Sequence, residues 1–149
     1  MSKKLIYISI FSLIFLTNCN IPTPSDKNVK KDYFTGGGIR SEFIMSDKKT
    51  KTGILKKYGY KGKVTSIAHI QNGVRDGEEV GYDEEGRVLW RYFFVNGREE
   101  GLQKAFYPNG DVMISYTYKD GLKNGEAKSY RQDGSVVKKA MYSKGKILR

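Results

Sequence analysis

Few residues in this chain are of a kind that does chemistry, and their spacing decides what they can do. His69 is the single histidine and Cys19 the single cysteine. A nucleophile needs a base within hydrogen-bond reach, yet no Ser-His-Asp order, metal-ligand spacing or Walker-type phosphate loop is present. The carboxylates Glu78, Glu79, Asp83, Glu84, Glu85, Glu99 and Glu100 are the densest group of candidate acids and bases. Two of them would work as an acid–base pair only where a cleft raised one pKa. They fall at turns and strand starts, where solvated residues belong, and His69 falls on the mixed face of a strand. The sequence therefore predicts no enzyme, no catalytic residue, no metal ligand and no cofactor. The glycines are no dinucleotide fingerprint, because no strand-to-helix switch follows them.

Their spacing is instead that of a repeat. Gly53, Gly77, Gly101 and Gly125 form one 24-residue series, Gly62, Gly86, Gly110 and Gly134 a second, and Gly73, Gly97, Gly121 and Gly145 a third. Tyr58, Tyr82, Phe106 and Tyr130 share one slot between them, and Val64, Val88, Val112 and Val136 another. Upstream, Tyr33, Gly37, Ile39, Phe43 and Met45 make a degenerate copy, as a terminal repeat with one neighbour should be. The repeats run 32–52, 53–76, 77–100, 101–124 and 125–149.

Each unit reads as a β-hairpin, since runs of Val, Ile, Tyr, Phe and Trp alternate with polar residues between Gly-containing turns. Pro108-Asn109-Gly110 and Gln132-Asp133-Gly134 suit three-residue loops ending in a left-handed Gly, and Asn72-Gly73, Asn96-Gly97 and Asp120-Gly121 are expected to close the next connections in the same way. The predicted fold is all-β, an elongated antiparallel meander of about ten strands. The loop places Phe106 opposite Val112, Lys104 opposite Ile114, Leu102 opposite Tyr116 and Trp90 opposite Val80. Even-numbered side chains then share the face to be buried. Trp90, Tyr92, Phe94, Tyr116 and Tyr118 are core candidates, and Trp90, Tyr92, Tyr116 and Tyr118 are also candidate partner contacts, because Tyr and Trp anchor interfaces.

The N-terminal segment is of another kind. Lys3 and Lys4 precede an apolar run from Leu5 to Leu16, the pattern of a signal peptide. A dozen helical residues span roughly 18 Å at about 1.5 Å each, too short for a bilayer core of roughly 30 Å. Leu16-Thr17-Asn18-Cys19 resembles the lipobox of bacterial lipoproteins, although Asn18 departs from the usual small residue before the cysteine. The resemblance implies a signal peptide over 1–18, lipidation of Cys19, and a tether over 19–31 that contains Pro22 and Pro24. The expected location is the outer or inner bacterial membrane, facing the periplasm or the cell surface. A lone cysteine leaves no internal disulfide.

Charge is uneven. Residues 19–149 carry a balance of +9; residues 77–100 hold three basic against seven acidic side chains, whereas residues 125–149 hold seven against two. Asp83, Glu84 and Glu85 lie in that acidic band and could meet a basic protein. The bland alternative is a solvated surface that keeps strand edges from pairing. Nucleic acid is not expected, because the chain reads as exported and its middle repeat has the wrong charge.

Phe106-Tyr107-Pro108-Asn109-Gly110 and the run from Tyr116 to Gly125 resemble elements of the MORN-repeat variant found in the YwqK-type antitoxin family of bacteria. The likeness extends over residues 33–149. It implies successive hairpins, no enzyme activity and an interaction role often assigned as toxin neutralisation. Two functions follow as expectations: a monomeric lipoprotein whose sheet binds a protein, such as a toxin, or an envelope-surface lipoprotein lying against anionic headgroups.

Overall fold

The computed structural model describes residues 28–148. The signal peptide, Cys19 and most of the tether lie outside them. The described residues form one open antiparallel sheet of twelve strands. These are β1 (Val29–Tyr33), β2 (Ile39–Asp47), β3 (Thr52–Tyr58), β4 (Val64–Gln71), β5 (Val74–Tyr82), β6 (Val88–Val95), β7 (Arg98–Glu99), β8 (Gly101–Phe106), β9 (Val112–Lys119), β10 (Leu122–Tyr130), β11 (Val136–Ser143) and β12 (Lys146–Leu148). Spatial order follows chain order, as an up-and-down meander requires. Only β7 leaves the path, pairing β6 alone before the strand resumes as β8. β1 starts at Val29, inside the stretch assigned to the tether. Val29, Lys30 and Lys31 pair with Ile44, Phe43 and Glu42, and so short an edge strand carries little apolar pattern to be read.

Turns of two kinds alternate along the two rims of the sheet. On one rim the expected loops form: the Gly110 amide donates to the Tyr107 carbonyl at 2.9 Å, and Gly110 is left-handed at φ 91°. On the other rim the loops are shorter than expected. Gln71 pairs with Val74 across Asn72-Gly73, whose φ values of 51° and 79° are both positive. Such two-residue primed turns match the right-handed twist of a hairpin.

Each two-residue turn is also held by the preceding repeat. The amides of Asn72, Asn96, Asp120 and Lys144 donate to side-chain oxygens of Thr52, Asp76, Glu100 and Asn124, each twenty residues earlier. The Gly73, Gly97, Gly121 and Gly145 amides donate to the carbonyls of Lys51, Arg75, Glu99 and Lys123 at 2.8–3.2 Å. The rim is therefore a ladder in which each turn ties one repeat to the last.

The three-residue loops shift the register by one. Phe106 faces Val112 as expected, but a bulge between Ala105 and Phe106 puts Ala105 opposite Ile114, Lys104 opposite Ser115 and Leu102 opposite Thr117. Likewise Trp90 faces Gly81, and Val80 faces Arg91. A bulge places two residues against one, so even residues of β4, β6, β9 and β11 share a face with odd residues of β5, β8 and β10.

That face is the better buried one, with Ser66, Ala68, Glu79, Phe94, Gln103 and Ala127 all under 9% exposed. Trp90, Tyr92, Tyr116 and Tyr118 are only half-buried. The expectation of a buried even face holds in part, because among the described residues no second layer covers the sheet. The opposite face buries Val80 and Ser115 and leaves Leu89, Phe93, Leu102, Met113, Val137 and Met141 exposed.

Candidate functional site

The 24-residue spacing and the bulged register bring large side chains of one strand beside small ones of the next. Trp90, Tyr92 and Phe94 stand on β6, Ile114, Tyr116 and Tyr118 on β9, and Tyr142 on β11. Between them lie Ala105 and Ala127, and Gly81 lies beside Trp90 on the outer flank of β6. The rings thus form raised rows over a low floor. Trp90 stacks on Tyr92 with centroids 4.6 Å apart, and Tyr116 meets Tyr118 edge-on at 6.4 Å.

Charged side chains cover parts of this face. The Lys123 ammonium sits 3.8 Å from the Tyr116 ring centre and 5.4 Å from that of Tyr142, and the Arg75 guanidinium sits 4.0 Å over Phe94. Arg75 also holds the buried Glu79 carboxylate at 3.2 Å. Burial and then the nearby Glu99 carboxylate push the Tyr92 and Tyr118 hydroxyls above their ordinary pKa. They stay neutral donors at physiological pH. A depression of about 130 Å³ opens among Ile114, Tyr116, Ala127, Ala140, Tyr142 and Ile147.

The structure does not gather the acidic candidates with the aromatic ones. Asp83, Glu84 and Glu85 occupy the rim loop between β5 and β6, and each is engaged within the chain. Arg87 binds Asp83 at 2.7 Å and Glu85 at 2.8 Å, and Lys61 binds Glu84 at 2.6 Å. Asp83 also accepts from the amides of Glu85 and Arg87. Partial burial raises its pKa, but the hydrogen bonds and charge of Arg87 prevail and leave the carboxyl below its ordinary value. This triplet shapes a turn.

His69 has a structural task. A wide bulge in β5 places Gly77 against it, and its Nδ1 lies 3.1 Å from the Glu78 carbonyl oxygen. Two repeats later Thr117 faces Gly125, and its hydroxyl donates to the Glu126 carbonyl at 3.2 Å. In the repeat between, the slot holds Phe93, whose side chain has no polar atom. There Gln103 substitutes: its Oε1 accepts from the Phe93 amide at 2.7 Å, and its Nε2 donates to the carbonyls of Phe93 and Glu100 at 3.0 Å. Gln103 was not among the sequence candidates. Its signal was a polar residue in the inward series Leu55, Glu79, Gln103, Ala127. Among the described residues no three His, Cys, Asp or Glu side chains are grouped to hold a metal.

The β8–β9 hairpin is the segment that comparison recognises. Residues 99–120 match the family model of the MORN repeat variant. The other MORN-like hairpins repeat its turn bonds at 24-residue intervals. No curated protein matches the chain. Among solved structures it is similar to part of a mutant S. aureus TarM in complex with fondaparinux, alpha-GlcNAc-glycerol and UDP. Identity is 12% with a TM-score of 0.49, over 67% of this chain and 20% of that one.

Proposed function

We propose that this chain is a non-enzymatic binding module whose aromatic face takes a protein partner, and that a lipid on Cys19 holds it on a bacterial envelope membrane. One observation carries the reading: Trp90, Tyr92, Tyr116 and Tyr118 form two stacked or edge-on pairs on one face of the open sheet and remain half-exposed. Rigid aromatics lose little conformational entropy on binding and are the side chains that dominate protein interfaces. A role as antitoxin or immunity protein is the finer form of this proposal; the resemblance of the repeat supports it, and the partner is then a toxin. The acidic triplet contributes turn structure and long-range steering only.

The test is affinity capture from envelope extracts with three forms of the anchored protein. Tyr92→Ala with Tyr116→Ala should lose a specific protein partner that the parent retains. Reversing Asp83, Glu84 and Glu85 to Lys should slow capture without abolishing it. Equal capture by the parent and the aromatic variant would overturn the assignment of the face. Cys19→Ser should move the protein to the soluble fraction with its repeats folded, and persistence with membranes would overturn the anchor.

A further inference from the structure

The face opposite the aromatics carries a single file of cations. Directly paired residues point to the same side of a sheet, and the register reads Arg91 opposite Lys104, Lys104 opposite Ser115, Ser115 opposite Lys128, and Lys128 opposite Lys139. Strands lie about 4.8 Å apart, so the file runs roughly 19 Å across β6, β8, β9, β10 and β11. Two of its steps place like charges directly opposite each other, an arrangement that costs stability in a sheet. Glu78 relieves Arg91 at 3.0 Å and Glu126 relieves Lys128 at 2.6 Å. Among the described residues, neither Lys104 nor Lys139 has a carboxylate within 4 Å.

The surroundings decide between a flat and a linear occupant. Phe93, Leu102 and Met141 are exposed along one side of the file, and Leu89, Met113 and Val137 along the other. Glu78 and Glu126 stand in the same flanking row as Phe93 and Met141. A flat anionic bilayer pressed on this face would meet those carboxylates together with the cations. A chain of anionic groups laid along the file would follow the row of cations and displace Glu78 and Glu126 from Arg91 and Lys128, with the Ser115 position between the two pairs.

We propose that this file is a binding site for a linear polyanion, its charges spaced to meet cations on successive strands. The site is independent of the aromatic face, being on the other side of the sheet. Among the described residues no carboxylate lies within 4 Å of Lys104 or Lys139, so both supply free charge; Arg91 and Lys128 contribute by exchanging their intramolecular partners.

The experiment measures binding of the full-length chain to long-chain polyphosphate, to tripolyphosphate, and to phosphatidylcholine vesicles with and without phosphatidylglycerol, over a range of salt. Lys104→Gln with Lys139→Gln should weaken long-chain polyphosphate binding about tenfold and reduce the slope of log K against log salt by about two. Lys119→Gln with Lys144→Gln removes the same charge from the rim turns and should leave both quantities nearly unchanged. Tripolyphosphate should bind far more weakly than the long chain, since it cannot span the file. The proposal fails if both double variants behave alike, or if tripolyphosphate binds as tightly as the polymer. It also fails if the file variant loses binding to phosphatidylglycerol vesicles while its polyphosphate binding is unchanged.

Discussion

The indole of Trp90 covers Gly81 on the neighbouring strand so closely that a Cβ built on that glycine would overlap its Cε2 and Nε1 atoms. The two residues face each other because the loop at Asp83–Gly86 ends in a bulge. Gly81 thus provides the shelf on which the aromatic row begins, and a larger residue there must displace the ring. Gly81→Ala should cost about 1–3 kcal/mol, the usual range for overpacking. Trp90 is the single tryptophan, so its emission should shift to the red. Unchanged emission with unchanged stability would show that the indole does not rest on Gly81.

Phe94, not Trp90, should be the most costly aromatic to truncate. It is 2% exposed under the Arg75 guanidinium, whereas Trp90 is half-exposed. Burial scales the loss, so Phe94→Ala is expected to cost about 3–5 kcal/mol and Trp90→Ala about 2–3 kcal/mol. Chemical denaturation checks the order, and a larger loss for Trp90 would contradict it.

Gln103 repairs the ladder where the β7–β8 strand breaks, satisfying three backbone groups with one side chain. Gln103→Leu should cost about 2–3 kcal/mol, because buried backbone groups lose their partners. Gln103→Glu keeps the shape but loses the donor while ionised. Its folded-state pKa is therefore raised, and the destabilisation should be present at neutral pH and shrink as pH falls through that value. A Gln103→Glu protein as stable as the parent at neutral pH would sink this role.

What the sequence made legible was whatever depends on period. Glycine and aromatic columns gave the hairpins, the meander and the composition of the better face, because each column marks a place where the backbone or a neighbour admits one kind of residue. Register was not legible. A bulge adds one residue to one strand and leaves no mark in the spacing of the glycines, so Lys104 was paired with Ile114 when its neighbour is Ser115. The local partners of the acidic candidates were hidden for a related reason. The triplet Asp83, Glu84 and Glu85 looks like a free acidic band until Arg87 and Lys61 are placed against it, and Gln103 looks like a chance polar residue until the ladder beside it is seen to break.

The rim ladder predicts protection in unusual places. Turn amides normally exchange with solvent at once, but those of Asn96, Gly97, Asp120 and Gly121 are donated to the preceding repeat. Hydrogen exchange should show them protected alongside strand amides. Asp76→Ala and Glu100→Ala should each release one turn and cost about 1–2 kcal/mol. Fast exchange at these positions in the parent protein would contradict the ladder.

Stability should depend on pH through Tyr58 and Glu42. The Tyr58 hydroxyl donates to Glu42 at 2.5 Å. Burial and that bond push Tyr58 up to about 12, and the same bond, against some burial, holds Glu42 below its ordinary 4.5. The raised Tyr58 value gives stabilisation that is complete below pH of about 10 and is lost as pH rises towards about 12. The lowered Glu42 value gives stabilisation that is complete above about pH 5 and is lost as pH falls. Tyr58→Phe should flatten both limbs of the Tm profile relative to the parent. Parallel profiles would show that the pair carries no linkage.

The central claim is that the aromatic face of the sheet, and not the opposite one, takes the protein partner. It is tested by placing the photo-crosslinking residue p-benzoylphenylalanine at Tyr116 on the aromatic face, and separately at Leu102 on the opposite face, of the anchored protein in its native envelope. Irradiation should give a discrete protein adduct from position 116 and none from position 102. An adduct of the same size from both positions, or a protein adduct from position 102 alone, would contradict the account.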